Sequence, residues 1–176
     1  MNTEVTKKSR IELLLGDINY LMIDDFQHNI FIRVNNQTTI ELYNYHYELS
    51  EEIIKEFLKE NYEANSVADA VERKEIIEFF VDQIKTFNKD LHTRQVVFQP
   101  KYEDKETLAA CISCIQCIIR NGLIDIHIFV RSQNFETNFL YDNLTYCLIM
   151  LEIHKRIDNI EIGNIYVKVV SLHKVI

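Results

Sequence analysis

Three cysteines stand at intervals of three in Cys111-Ile-Ser-Cys114-Ile-Gln-Cys117. Thiolates so spaced suit a helix or loop folded round a metal ion, and the thiolate is also the form in which cysteine attacks carbon. The neighbours here are β-branched and lead into Asn121-Gly122, a two-residue hairpin signal, so the segment is predicted to be a strand. On a strand, alternation sends Cys111 and Cys117 to one face and Cys114 to the other. No fourth ligand stands at metal-like spacing, so no metal site is assigned. Cys114 and Cys117 read as small buried residues, and Cys111 is left open.

Downstream, Arg131-Ser132-Gln133-Asn134 follows an apolar strand. An arginine and a hydroxyl at a strand end can clamp a phosphate, and they can equally form a surface turn. Asp142 precedes an apolar helix, where a carboxylate commonly caps the first backbone amides. His173, taken alone, says little.

The elements that must hold these residues are legible as patterns. Residues 8–22 suggest a helix with Ile11, Leu14 and Leu15 on one face. Strands are expected at Asn29–Val34 and Thr39–Leu49, joined by the turn Asn35-Asn36-Gln37. Ser50-Glu51-Glu52 opens a capped helix carrying Ile53, Ile54, Phe57 and Leu58, and a second helix runs from about Val67 to Phe87. Strand character returns at Arg94–Phe98, and Pro100–Glu106 is a charged loop. The hairpin pairs Cys111–Ile119 with Leu123–Val130. A mostly apolar helix covers Phe139–Ile157, and Ile165–Val170 is the last strand. This mixture lacks a strict βαβ rhythm, which predicts an α+β fold in a single domain, residues 1–176.

Several of these segments together resemble the thymidylate synthase family. Thr93-Arg94-Gln95-Val96-Val97 resembles its Thr/Ser-Arg-Arg/Gln segment before a strand. Gln116 lies five residues after Cys111, and Arg131-Ser132 follows fifteen after Gln116, both family spacings. Asp142 falls ten after Ser132, where the family keeps Asn or Asp for base recognition, and Ser171-Leu172-His173 resembles its Ser/Asp-x-His segment. Arg33 and the run Glu41-Leu42-Tyr43-Asn44 resemble the N-terminal phosphate arginine and first strand more loosely.

The resemblance implies a mixed sheet packed by helices and a two-fold homodimer through the sheet face. It implies that Cys111 adds to C6 of a pyrimidine nucleoside 5′-monophosphate, so that C5 attacks a one-carbon unit on 5,10-methylenetetrahydrofolate. Arg131, Ser132 and Arg33 would hold the phosphate, Arg94 would serve the partner subunit's site, and His173 would touch the sugar. Gln116 and Asn134, which stands where the family has Asp, would complete the nucleotide site, and Glu56 would match the catalytic Glu. Members acting on uracil usually carry Asn at the position of Asp142, and hydroxymethylases of cytosine nucleotides carry Asp. A carboxylate accepts from the amine of cytosine and would face O4 of uracil badly, so cytosine is expected. A non-catalytic descendant that binds a nucleotide, or only dimerises, is the alternative.

Departures accompany the match. Ala109-Ala110 precedes the cysteine in place of a proline, and Ile112 follows it in place of a polar residue. Lys59 stands where an aromatic is expected and Val175 where the family has a sugar-binding Tyr. The chain stops at Ile176, before the segment that closes over the folate.

Composition bounds the rest. A chain of 176 residues, 47% apolar and 26% charged, can bury a sizeable core. A net charge of -8 argues against a nucleic-acid surface, which needs clustered Lys and Arg. No apolar run reaches the length of a membrane span and no signal-peptide pattern opens the chain, so a cytoplasmic protein with four free thiols is expected.

Overall fold

The computed structural model describes residues 10–23, 30–34, 37–60, 70–86, 94–100 and 111–175. In chain order the elements are α1 (Arg10–Ile23), β1 (Ile30–Val34), β2 (Gln37–Leu49), α2 (Glu51–Glu60), α3 (Ala70–Thr86), β3 (Val97–Phe98), β4 (Ile112–Arg120), β5 (Leu123–Asn134), α4 (Phe139–Arg156) and β6 (Glu161–Val175). The expected turn residues Asn35 and Asn36, the loop 101–106, Thr93 and the Ala109-Ala110 pair lie outside the described residues. So does the side chain of Arg33.

The strands form one six-stranded mixed sheet in the order β1-β2-β6-β5-β4-β3. All neighbours run antiparallel except β5 and β6. That parallel pair is joined across α4, because parallel neighbours need a long crossover. The hairpin turns where expected: Asn121 and Gly122 have φ of 53° and 78°, the doubly left-handed conformation that favours Asn-Gly.

One face of the sheet is built by alternation. Ile124, Ile126, Ile128 and Val130 of β5, and Ile165, Val167 and Val169 of β6, are each at most 1% exposed. Over them lies α4, burying Tyr146, Cys147, Ile149, Met150 and Ile153. α2 and α3 flank α4, and α1 packs on α2 and β2. Phe79 and Phe80 of α3 cover Phe98 of β3, with ring centroids 5.3 and 6.5 Å apart. At the start of α2, Ser50 Oγ accepts from Ile53 N at 3.5 Å and donates to Glu52 at 2.9 Å, so Ser50 caps the helix without a reciprocal capping box. No helix among the described residues is long and apolar enough to cross a membrane.

A row of irregularities crosses the sheet. Pairing is interrupted at Asn44 and Val170 between β2 and β6, at Arg131 and Val170 between β5 and β6, and the register of β4 shifts between Ile112 and Cys114. Asn44 takes φ 52° to accommodate it. Beyond the row the inward parity changes. Gln133 follows Val130, and Leu172 follows Val169, at a spacing of three, and all four are buried. A second irregularity lies at Gly163, where an added Cβ would stand 2.7 Å from Ile124 O and would also strike Asp125 Oδ1. Asp125 reaches into that bulge and accepts from Asn164 N at 2.8 Å.

Two expectations need correction in extent. The last strand is not limited to 165–170 but spans Glu161–Val175, so His173 sits on it. β5 continues through Arg131-Ser132 to Asn134, so the expected strand end is strand interior.

Candidate functional site

The kink in the sheet brings three distant segments together. Arg131 N donates to Cys111 O at 2.8 Å, which fixes the residue ahead of β4 against β5. Asp142, in the first turn of α4, lies within electrostatic reach of the Cys111 thiol, as does Arg131. Burial pushes that thiol up, the Asp142 charge pushes it further, and Arg131 pulls it down. Cys111 is half-buried, and Tyr146 of α4 feels its charge as well.

Asp142 is not the helix cap that its position before an apolar run suggested. It is the fourth residue of α4, and Asn138 occupies the cap position without a side-chain bond. The Asp142 carboxylate is 4% exposed and accepts from Gln133 Nε2 at 2.8 Å through Oδ2. Burial raises its pKa from an ordinary 3.8 to about 6, with the Gln133 bond opposing the rise. Behind Gln133 the network continues. Tyr47 Oη lies 3.2 Å from Gln133 Oε1 and 3.0 Å from Asn143 Oδ1, and Asn143 Nδ2 donates to Phe139 O at 2.8 Å. Burial raises the Tyr47 and Tyr146 hydroxyls far above their ordinary value, so both stay protonated. Tyr146 Oη is buried without a hydrogen-bond partner among the described residues.

A second polar group is formed by the residues next to Gln133 and Leu172 along β5 and β6. Ser132 Oγ and His173 Nδ1 approach to 3.3 Å between the parallel strands. Glu41 of β2 is paired with His173 in register and accepts from Ser171 Oγ at 2.8 Å. This group carries the hydroxyl and imidazole of the expected phosphate and sugar contacts.

Other expected site residues are placed elsewhere. Glu56, in α2, accepts from Ile11 N at 3.2 Å and so serves the start of α1. Asn134 Oδ1 accepts from Glu136 N and Thr137 N at 2.9 and 3.1 Å and closes the turn into α4. Gln116 lies five residues along β4 from Cys111, a separation of roughly 17 Å on a strand, and its Nε2 donates to Arg94 O at 2.8 Å. Arg94 is exposed ahead of the edge strand β3, and Arg33 belongs to β1 at the opposite edge. The three spaced cysteines do not converge, since Cys114 faces Phe129 in register and Cys117 faces Ile126. Gln133, Tyr47 and Asn143 were not foreseen. The polar Asp142-Asn143 pair inside an otherwise apolar helix was the available signal.

Compared with known proteins, the chain matches no protein family and no curated protein.

Proposed function

We propose that this chain is a thymidylate-synthase-like protein that binds a pyrimidine nucleoside 5′-monophosphate, cytosine before uracil, and acts at C5 through Cys111. The observation that carries this reading is the convergence of Cys111, Arg131 and Asp142 from three separate segments; Ser132, which follows Arg131 on β5, meets His173 at 3.3 Å. Arg131 and Ser132 would hold the phosphate, His173 the sugar, and Asp142 the exocyclic amine of the base.

The chemistry is a reversible addition. The Cys111 thiol loses its proton to solvent, and a sulfur lone pair forms a bond to C6 while the C5–C6 π electrons move to C5. C5 then takes a proton from solvent. Loss of the other C5 proton returns the electrons and expels the thiolate. For one-carbon transfer, methylenetetrahydrofolate would supply the carbon. The buried side chains of Gln133, Asn143 and Tyr47 are bonded within one network that ends on Asp142, so none of the three is offered to a pterin.

The raised Cys111 thiol favours a second reading, a descendant that binds the nucleotide without turning it over. Both readings include a two-fold dimer through the open sheet face, where Phe129, Val170 and Tyr43 are 39%, 50% and 45% exposed. That face also holds a concavity of about 550 Å³ lined by His46, His127, Phe129, Tyr166 and Lys168 among others. Arg94 would then serve the neighbouring subunit's site.

Calorimetric titration with CMP and UMP tests the reading. Wild type should bind CMP about tenfold tighter, the worth of one well-made buried hydrogen bond set against an opposed acceptor pair. Arg131→Ala should lose both nucleotides, and Asp142→Asn should shift the preference toward UMP. Failure of wild type to bind either nucleotide would end it.

A further inference from the structure

The buried network behind Asp142 has a proton count that bears on which base it can take. Asn143 Nδ2 donates to Phe139 O, a carbonyl that can only accept, so Asn143 Oδ1 faces Tyr47. With Asp142 ionised, Gln133 must turn its nitrogen to the carboxylate, which leaves Gln133 Oε1 also facing Tyr47. The single hydroxyl proton of Tyr47 then serves two oxygens. A proton on Asp142 resolves this. Gln133 can rotate its amide in place, accept from Asp142 through Oε1 and donate through Nε2 to Tyr47 Oη, while Tyr47 donates to Asn143. Each link then has one donor and one acceptor. In both arrangements Oδ2 of Asp142 belongs to Gln133, and Oδ1 has no side-chain partner among the described residues.

We infer that Gln133 is a specificity-determining positioning residue: held between Asp142 and the Tyr47–Asn143 pair, it keeps Oδ2 occupied in either protonation state, so the ligand meets Asp142 as an acceptor only. This rests on the base-recognition role proposed for Asp142. An amine-bearing edge, as on cytosine, is then selected whether or not the carboxyl is protonated. Without Gln133, a protonated Asp142 could turn its O–H outward and accept a carbonyl edge. Asp142 titrates at about 6, so both states are reachable near neutrality. The titratable groups in its field are Cys111 ahead of β4, Tyr47 on β2 and Tyr146 on its own helix, and Arg131 on β5 acts on Cys111.

The test is the ratio of CMP to UMP affinity, measured by calorimetry well above and well below the Asp142 titration. Wild type should keep a ratio of about ten at both. Gln133→Leu should keep it above the titration and lose it below. Tyr47→Phe, which preserves the ring and removes the hydroxyl that orients Gln133, should lose part of it below the titration, and it serves if Gln133→Leu does not fold. A wild-type ratio that collapses at low pH, or variants whose ratio matches wild type at both pH values, would overturn the inference while leaving nucleotide binding intact. If wild type binds neither nucleotide, the base-recognition reading falls and this inference falls with it.

Discussion

The backbone amide of Arg131, on β5, donates at 2.8 Å to the carbonyl of Cys111, the residue just ahead of β4 and twenty positions away in sequence. This bond is made where the register of β4 shifts and the pairing of β5 with β6 is interrupted. The distortion of the sheet is what sets a cation beside the thiol. It also turns Gln133 inward beneath α4, where it meets the Asp142 carboxylate.

The Cys111 thiol should therefore answer to both charges. Arg131 pulls its pKa down and Asp142 pushes it up. In a Cys114→Ser background, the pH dependence of Cys111 alkylation should move to lower pH with Asp142→Asn and to higher pH with Arg131→Ala. Cys117, pushed up to about 12 by burial, and Cys147 should stay unlabelled in the native protein. Identical profiles for the two variants would show that neither charge reaches the thiol.

Asp142 should also mark the pH dependence of stability. Its folded pKa, about 6, lies above the ordinary 3.8, so the fold favours the protonated form. The associated stability is fully present below about pH 3.8 and is lost as pH rises through about 6. Asp142→Asn removes that dependence while leaving an acceptor for Gln133. Relative to wild type, the variant should gain about 2–3 kcal/mol between about pH 4 and pH 7. Urea unfolding at the two pH values measures this, and a difference that does not vary with pH would contradict it.

The dimer proposal has a separate handle. Phe129 sits on the open sheet face, 39% exposed and remote from the buried helix-facing side. Phe129→Glu should leave the fold intact by circular dichroism and convert a two-fold dimer to a monomer in light scattering at roughly micromolar concentration. A wild-type monomer under the same conditions would count against the dimer.

Much of this fold could be read from local pattern. The apolar stripes of α2, α3 and α4 and the alternation of β2, β4 and β5 follow directly from side-chain period, and Asn121-Gly122 fixes the hairpin. The last strand outruns its apolar pattern, which Gly163 and the polar Ser171, His173 and Lys174 interrupt. Gly163 is there for close backbone approach, and His173 is polar because it faces Ser132. The edge segment expected from Arg94 is strand only at Val97–Phe98. The parity change at the kink has no sequence signature. Without it, Gln133 between Ser132 and Asn134 looks like a surface turn, and Asp142 looks like a helix cap. Spacing singled out Cys111, Arg131 and Asp142, the last two of which the structure sets within electrostatic reach of the Cys111 thiol, and Ser132 and His173, which meet at 3.3 Å, but it could not tell Gln116 or Glu56 from residues serving their own elements.

The most direct test of the account is the fate of the C5 hydrogen of CMP incubated with the protein in deuterated buffer, followed by proton NMR. Addition of Cys111 to C6 and its reversal require no folate, so wild type should exchange this hydrogen, and Cys111→Ser should bind CMP normally and exchange none of it. Wild-type protein saturated with CMP that leaves the C5 hydrogen in place would contradict C5 chemistry and leave only a nucleotide-binding protein.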